Sequence, residues 1–276
     1  MSTRMHFSQQ TLSLLFDAIL VDDIVDQHIE LPAYLPTNFS SEQLAECLNL
    51  CQQLWLEGVA NTQLRCLIKK IIIHKNLNSE ERRSYKYIRA KYKHMGFAFI
   101  LYTASHKRPL LFEATSTLMG EAQDAFRNQV TSKTLSTGLL LNAITAWPFS
   151  QFSQQYVQNA KLDPQSFMQH FKNDGKRIPE FLASHSVTPA QFHALRKIIS
   201  RHVSFFDTLR TLYPNEMYYK MSRFLSAING MMGSMHDDLV QKSLLKKIDY
   251  HKDNISIPNK IIELLGHLIF LYENNK

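Results

Sequence analysis

Two rows of cations lie roughly 110 residues apart in this chain, and each is followed by the same small motif. The first row reads Arg82-Arg83-x-x-Lys86-x-x-Arg89-x-Lys91-x-Lys93-His94, with Met119-Gly120-Glu121-Ala122-Gln123-Asp124 downstream. The second reads His193-x-x-Arg196-Lys197-x-x-x-Arg201-His202, with Met232-Gly233-Ser234-Met235-His236-Asp237 downstream. Phosphate oxygens are held best by several cations on a rigid element, because arginine offers a bidentate fork and lysine adds charge without strict geometry. Arg82, Lys86, Arg89 and Lys93 in one half, and His193, Arg196, Lys197 and Arg201 in the other, are therefore the candidate phosphate-binding residues. One turn after each motif glycine, Asp124 and Asp237 are placed to accept from Arg89 and Arg196 and so orient them. His236 adds a switchable donor beside Asp237. The bland alternatives are a solvated helix face for each row and an internal salt bridge for each aspartate.

The elements that must carry these residues read as helices. A helix is expected over 9–21, then one capped by Ser40 or Ser41 and running to Gly58, and another over 62–74. Ser79 with Glu80 and Glu81 opens a helix to Tyr102, in which Ile88, Tyr92, Met95, Phe99 and Tyr102 form one apolar stripe beside the cationic one. Helices are expected over 110–130, 133–146 and 149–160. From Pro164 a helix runs to about Lys172, and Gly175 and Pro179 break the next stretch of chain. Thr188-Pro189 starts the second basic helix as N-cap and first turn. A long helix from Pro214 to about Lys247 and a last one from Pro258 complete the chain. Glycine inside a helix costs about 1 kcal/mol relative to alanine, so Gly120 and Gly233 imply a close helix-helix approach as compensation.

Composition supports an all-α fold. The chain has 276 residues with 45% hydrophobic content, enough for a large core, yet only 8 Gly and 9 Pro, and few runs alternate with a period of two. A formal charge of +7 with 12 His in reserve favours a polyanionic partner. Cys47, Cys51 and Cys66 form no disulfide framework and fit reduced thiols in a cytoplasmic protein, with Cys47 and Cys51 on one core face. No signal peptide is read before Asp22-Asp23, and the longest apolar runs, 95–104 and 261–272, are too short or interrupted for membrane insertion. The expected organisation is an N-terminal helical extension at 1–78, a first helical repeat at 79–160, a connecting segment at 161–187 and a second repeat at 188–276. The sequence sets no oligomeric state.

Both halves resemble the CHAD domain, the conserved-histidine α-helical domain. Its repeats open with a pattern like His-x-x-Arg-x-x-x-(Arg/Lys)-(Arg/Lys)-x-Arg and continue to Leu-Gly-x-x-(Arg/His)-Asp-x-(Asp). His193, Arg196, Arg201, Gly233, His236 and Asp237, with Asp238 one place early, match in the second half, and Arg89, Lys93, Gly120 and Asp124 in the first. Lys86 stands where the first histidine would be, Gln123 replaces Arg or His, and Ser200 interrupts the second cationic row. The resemblance covers roughly residues 80 to 276. It implies two four-helix bundles related by a pseudo-twofold, a basic groove between them, and binding of inorganic polyphosphate or a similar phosphate polymer without catalysis or cofactor.

Two other chemistries compete. His236-Asp237 is also the doublet of an HD-type metal-dependent phosphohydrolase, with His202, Asp249 or Asp253 as further ligands. The repeat explains the doublet equally well, so no catalytic or metal residue is assigned. Nucleic acid is an alternative partner for the basic helices, although the aromatics lie mainly at core-spaced positions. Asp22-Asp23-Ile24-Val25-Asp26 spells a magnesium-binding Asp-Asp-x-x-Asp and is read as coincidence.

Overall fold

The computed structural model of the chain describes residues 5–183 and 187–274. Among these residues it is all-helical, with eleven helices and a single isolated bridge between Val187 and Ile255. In chain order the helices are α1 (Gln9–Leu20), α2 (Ser41–Gly58), α3 (Asn61–His74), α4 (Ser79–Tyr102), α5 (Leu110–Arg127), α6 (Thr131–Ile144), α7 (Phe149–Asn159), α8 (Pro164–Ala183), α9 (Pro189–Leu212), α10 (Glu216–Leu244) and α11 (Asn259–Glu273). No helix among the described residues is long and apolar enough to cross a membrane.

The chain divides into two compact units. One takes residues up to Leu12 together with Leu48–Asp163, and the other takes Ser13–Cys47 together with the residues from Pro164 onward. Of the residues expected to form the N-terminal extension, those up to Leu12 and from Leu48 fall in the first unit and Ser13–Cys47 in the second. The stretch expected to connect the halves holds the 20-residue α8 of the second unit.

In the first unit α4 packs on α3 and α5, α6 on α3 and α5, and α7 on α5. The start of α4 is fixed by Asn78, one residue before the expected cap. Its side chain accepts from the Glu81 amide at 2.9 Å while the Glu81 carboxylate accepts from the Asn78 amide at 3.0 Å, satisfying two otherwise orphaned donors. The expected stripe Ile88, Tyr92, Met95, Phe99 and Tyr102 is buried throughout. Tyr92 and Phe99 meet the Phe112 ring at centroid distances of 5.0 and 5.1 Å, and Trp55 stands edge-on to Tyr92 at 5.3 Å. Burial, helped by the Lys93 charge, pushes the His94 imidazole down to about 3, so it sits neutral in the core with Cys51 Sγ 3.4 Å from its Nε2.

In the second unit α9 packs on α8 and α10, and α11 on α8 and α10. Thr188 and Gln191 form the same reciprocal cap at the start of α9, with Pro189 in its first turn. Phe39 stands edge-on to Phe205, Phe171 and Phe167 at 4.9, 6.1 and 6.3 Å. The expected break at Gly175 and Pro179 does not occur, and α8 runs through both. A Cβ at Gly175 would run into the Tyr272 ring, so this glycine admits a neighbouring side chain and does not end a helix.

The Asp-rich segment near the N-terminus is a strap across α10. Arg223 grips Asp26 through Nε at 2.9 Å and Nη2 at 2.7 Å, and also donates to the carbonyls of Val21 at 3.0 Å and Ile24 at 3.1 Å. Ser226 donates to the Val21 carbonyl at 2.9 Å and Asn229 to that of Asp22 at 2.8 Å. Residues 223, 226, 229 and 230 share one helix face, and at Gly230 the backbone comes so close that a Cβ would collide with the Asp23 carbonyl oxygen. Asp207 lies buried in α9, accepting from Ser222 Oγ at 2.5 Å and Arg210 Nε at 3.1 Å. Burial, with the Asp22 charge adding to it, raises its pKa to about 7 against the pull of Arg210 and Ser222.

These contacts set the outcome of two stability measurements. Gly230→Ala destabilises the protein in urea or thermal melts despite the better helix propensity of alanine, because backbone must move. Gly266→Ala, with nothing within 4 Å of the added Cβ, stabilises it by up to about 1 kcal/mol. Asp207 has its folded pKa raised from 3.8, so its contribution is complete below about pH 3.8 and falls at up to roughly 1.4 kcal/mol per unit as pH rises toward 7. Asp207→Asn flattens this slope in urea titrations run across that window; an unchanged slope would assign the titration elsewhere.

Candidate functional site

In the first unit the cationic row keeps its stripe but divides its labour. Arg82 donates to the Leu77 carbonyl at 2.9 Å and to Asn76 Oδ1 at 2.6 Å, and its guanidinium lies 5.7 Å from the centre of the Phe126 ring. Lys86 is exposed, and Lys93 is half-buried with its ammonium 5.7 Å from the Phe97 ring centre. Arg82 and Lys86 join Arg83 and Arg127 in lining a cavity of ≈ 430 Å³, with Ser79 and Gln123 as its polar members and Tyr87 and Phe126 as its aromatic ones. Its lining holds four permanent cations and no carboxylate. Gln123 Oε1 is buried there with no hydrogen-bond partner.

Arg89 is half-buried and lies over the α5 backbone at the motif glycine, its Nη2 3.2 Å from where a Gly120 Cβ would be. Beneath it Tyr85 is buried and donates to the Met119 carbonyl at 3.1 Å. Burial raises the phenol pKa, while the Arg89 charge lowers it and that of Asp124 raises it, so these two charges bear on one point of the unit. Asp124 itself is exposed.

The second unit repeats one contact closely. The Arg196 guanidinium lies over the α10 backbone, with Nη2 2.8 Å from a Gly233 Cβ position. At both glycines the space left by the missing side chain takes an arginine from the preceding helix, where the sequence implied a close approach of helix backbones. Beside Arg196, His193 and His236 stack with ring centroids 4.3 Å apart and planes inclined by 26°. His236 Nε2 lies 3.0 Å from the Tyr250 hydroxyl and its Nδ1 3.6 Å from the Oδ1 of exposed Asp237. The Nδ1 atoms of both imidazoles are buried without a hydrogen-bond partner. Burial first, then His236, Lys197 and Arg196, drive the His193 pKa down to about 3. Lys197 is exposed.

Arg201 does not share this face. At 100° per residue it sits about 140° around the helix from Arg196, whereas the four cations of the first row fall within about 60° of one another. It is only 7% exposed and makes a bidentate pair with buried Asp174, from Nη2 at 2.7 Å and Nε at 3.2 Å. His202 completes the cluster, its Nε2 3.5 Å from Asp174 Oδ2 and its Nδ1 2.7 Å from the Tyr272 hydroxyl. Burial opposes ionisation of Asp174, but His202 and Arg201 outweigh it and hold the carboxyl well below the usual range. Arg201 is a core residue.

The residues considered as metal ligands are dispersed by the same packing: His202 belongs to the Asp174 cluster and His236 to the pair with His193. Asp249 accepts from the His251 amide at 2.9 Å in the loop after α10. No group of three or more His, Cys, Asp or Glu suited to a metal ion occurs among the described residues. The candidate binding residues do not include Arg83, although it stands in the first cationic row, nor Arg127 at the cavity, and Tyr250 at the histidine pair is not picked out at all. Arg127 carried a signal, one turn beyond Gln123 on the same face of α5, whereas Tyr250 sits in a loop with no periodicity to mark it. The chain matches no family model, no curated protein and no solved structure.

The two arginines of α9 separate in a stability measurement. Arg201→Ala strips buried Asp174 of its bidentate partner, and costs about 3–5 kcal/mol or abolishes folding. Arg196→Ala changes the urea midpoint by far less. Equal losses for the two variants would contradict this division.

Proposed function

We propose that the chain is a non-enzymatic, CHAD-like module that binds inorganic polyphosphate or a similar phosphate-rich polyanion, and that its two units are duplicated helical bundles related by a pseudo-twofold. The observation that carries this reading is the recurrence of one contact: Arg89 over Gly120 and Arg196 over Gly233. An arginine held flat on a helix presents its fork in a fixed orientation, which suits phosphate oxygens. Arg82, Lys86 and Lys93 extend the cationic face in the first unit and Lys197 in the second, where His193 stands beside Arg196 uncharged. The four-cation cavity without a carboxylate supports the same partner, because an anion is the ligand that relieves such crowding.

A second reading has one observation behind it. Trp147, Phe149, Phe152 and Tyr156 are exposed, and the last three share one face of α7, where nucleobases of a single strand could stack. Polyphosphate is preferred because the cations gather on α4 and α9, and α7 carries no charged residue at all.

The test is binding of long-chain polyphosphate and of single-stranded DNA of matched charge to wild type, Arg89→Ala, Arg196→Ala and the double variant over a salt series. Each single variant weakens polyphosphate binding strongly, and the double variant retains little beyond nonspecific attraction. Log affinity falls linearly with log salt, with a slope that shrinks as contacts are removed. Absence of binding near physiological salt, or indifference to both substitutions, overturns the proposal. A clear preference for DNA moves it to the second reading.

A further inference from the structure

The two units meet an anion with different chemistry. In the first, every cation lining the cavity is an arginine or a lysine. In the second, the group beside Arg196 is a pair of imidazoles stacked face to face at 4.3 Å. Two protonated rings at that distance repel each other, and two neutral rings leave a site with little to offer a phosphate beyond its neighbours Arg196 and Lys197.

Groups from α9, α10 and the loop after α10 bear on the pair. From α9 come Arg196 and Lys197, whose charges both act on His193. From α10 come His236 itself and, 3.6 Å from its Nδ1, the carboxylate of Asp237. From the loop after α10 comes Tyr250, whose hydroxyl engages His236 Nε2 at 3.0 Å and whose own pKa is raised by burial and lowered by the Arg196 charge. Both Nδ1 atoms are buried and lack a hydrogen-bond partner, so each ring has a nitrogen in reserve.

We propose that the His193–His236 pair couples anion binding to proton uptake, one imidazole taking a proton from solvent when a phosphate group arrives beside Arg196 and Lys197. This rests on the anion-binding reading and adds its regulation. Histidine is the side chain whose charge is switched most readily by its surroundings, and a phosphate adds negative charge to the one carboxylate, Asp237, that the pair already faces. Before binding, burial first, then His236 and the Lys197 and Arg196 charges, keep His193 near 3, so its proton is absent at physiological pH. The sign is set by linkage. Binding raises the imidazole pKa, so affinity rises as pH falls through the bound-state value, by up to about tenfold per pH unit for one proton. Above that value the coupling disappears and only the permanent cations remain.

Long-chain polyphosphate is the probe, because its interior phosphates stay fully ionised across the window and contribute no titration of their own. Affinity is measured from about pH 5.5 to about pH 8 at fixed ionic strength for wild type, His193→Gln, His236→Gln and Arg89→Ala, with calorimetry in buffers of differing ionisation enthalpy counting the protons. Wild type and Arg89→Ala take up protons on binding and tighten toward acid. Each histidine variant loses most of that dependence while still binding at about pH 8. NMR of the imidazole nitrogens shows His193 becoming protonated only in the complex. Binding with a flat pH profile, or a slope retained in both histidine variants, refutes the coupling and leaves the anion-binding reading intact. No binding at any pH refutes both.

Discussion

A cation laid across a helix backbone where a glycine omits its side chain is the contact on which much of this architecture turns. Four of the eight glycines are of this kind: Lys91 lies over Gly58, Arg108 over Gly96, Arg89 over Gly120 and Arg196 over Gly233. Inside a helix, as at Gly96, Gly120 and Gly233, glycine costs about 1 kcal/mol relative to alanine, so its use needs an offsetting gain. At Gly58 and Gly96 the gain is visible as hydrogen bonds to the glycine carbonyl itself, from Lys91 Nζ at 2.9 Å and Arg108 Nε at 3.2 Å. The same device can therefore finish a helix end or hold an arginine flat. Arg89 and Arg196 belong to the second use, and this is why they, among so many cations, carry the functional reading.

The second unit places charge inside as well as outside. Asp174 with Arg201, and Asp207 with Arg210 and Ser222, are buried carboxylates whose partners come from neighbouring turns and helices. Their titrations run in opposite directions. Arg201 and His202 enclose Asp174 and favour its charged form, whereas Asp207 has one arginine and a hydroxyl against full burial and the Asp22 charge. Burial is common to both, so the groups within hydrogen-bonding reach decide the outcome.

The helices were largely legible because periodicity and caps are local. Ser79–Tyr102 and the Thr188-Pro189 start come straight from the stripe and the capping signals. What could not be read is set by contacts far apart in sequence. Gly175 looks like a helix breaker until Tyr272 is seen to fill its space, and Asp22-Asp23-x-x-Asp26 looks like a metal motif until Arg223 and Asn229 are seen to hold it. The division of the first 78 residues between the units is of this sort, as their partners lie some two hundred residues downstream in part. Arg201 was misread because identity and rough spacing were taken for a face. Its angle around the helix already set it apart from Arg196.

The two halves differ most tellingly where their registers match. Lys86 stands three residues before Arg89 as His193 does before Arg196, and Gln123 stands three after Gly120 as His236 does after Gly233. One half thus pairs a permanent cation with a neutral amide, the other two titratable imidazoles. The lysine stays exposed and charged beside an open cavity, whereas the imidazoles stack on one another and bury their Nδ1 atoms. Exchange at two matched positions thus changes the groups beside the arginine, a lysine and an amide in one unit and two stacked imidazoles in the other, while the arginine over glycine that both share stays in place.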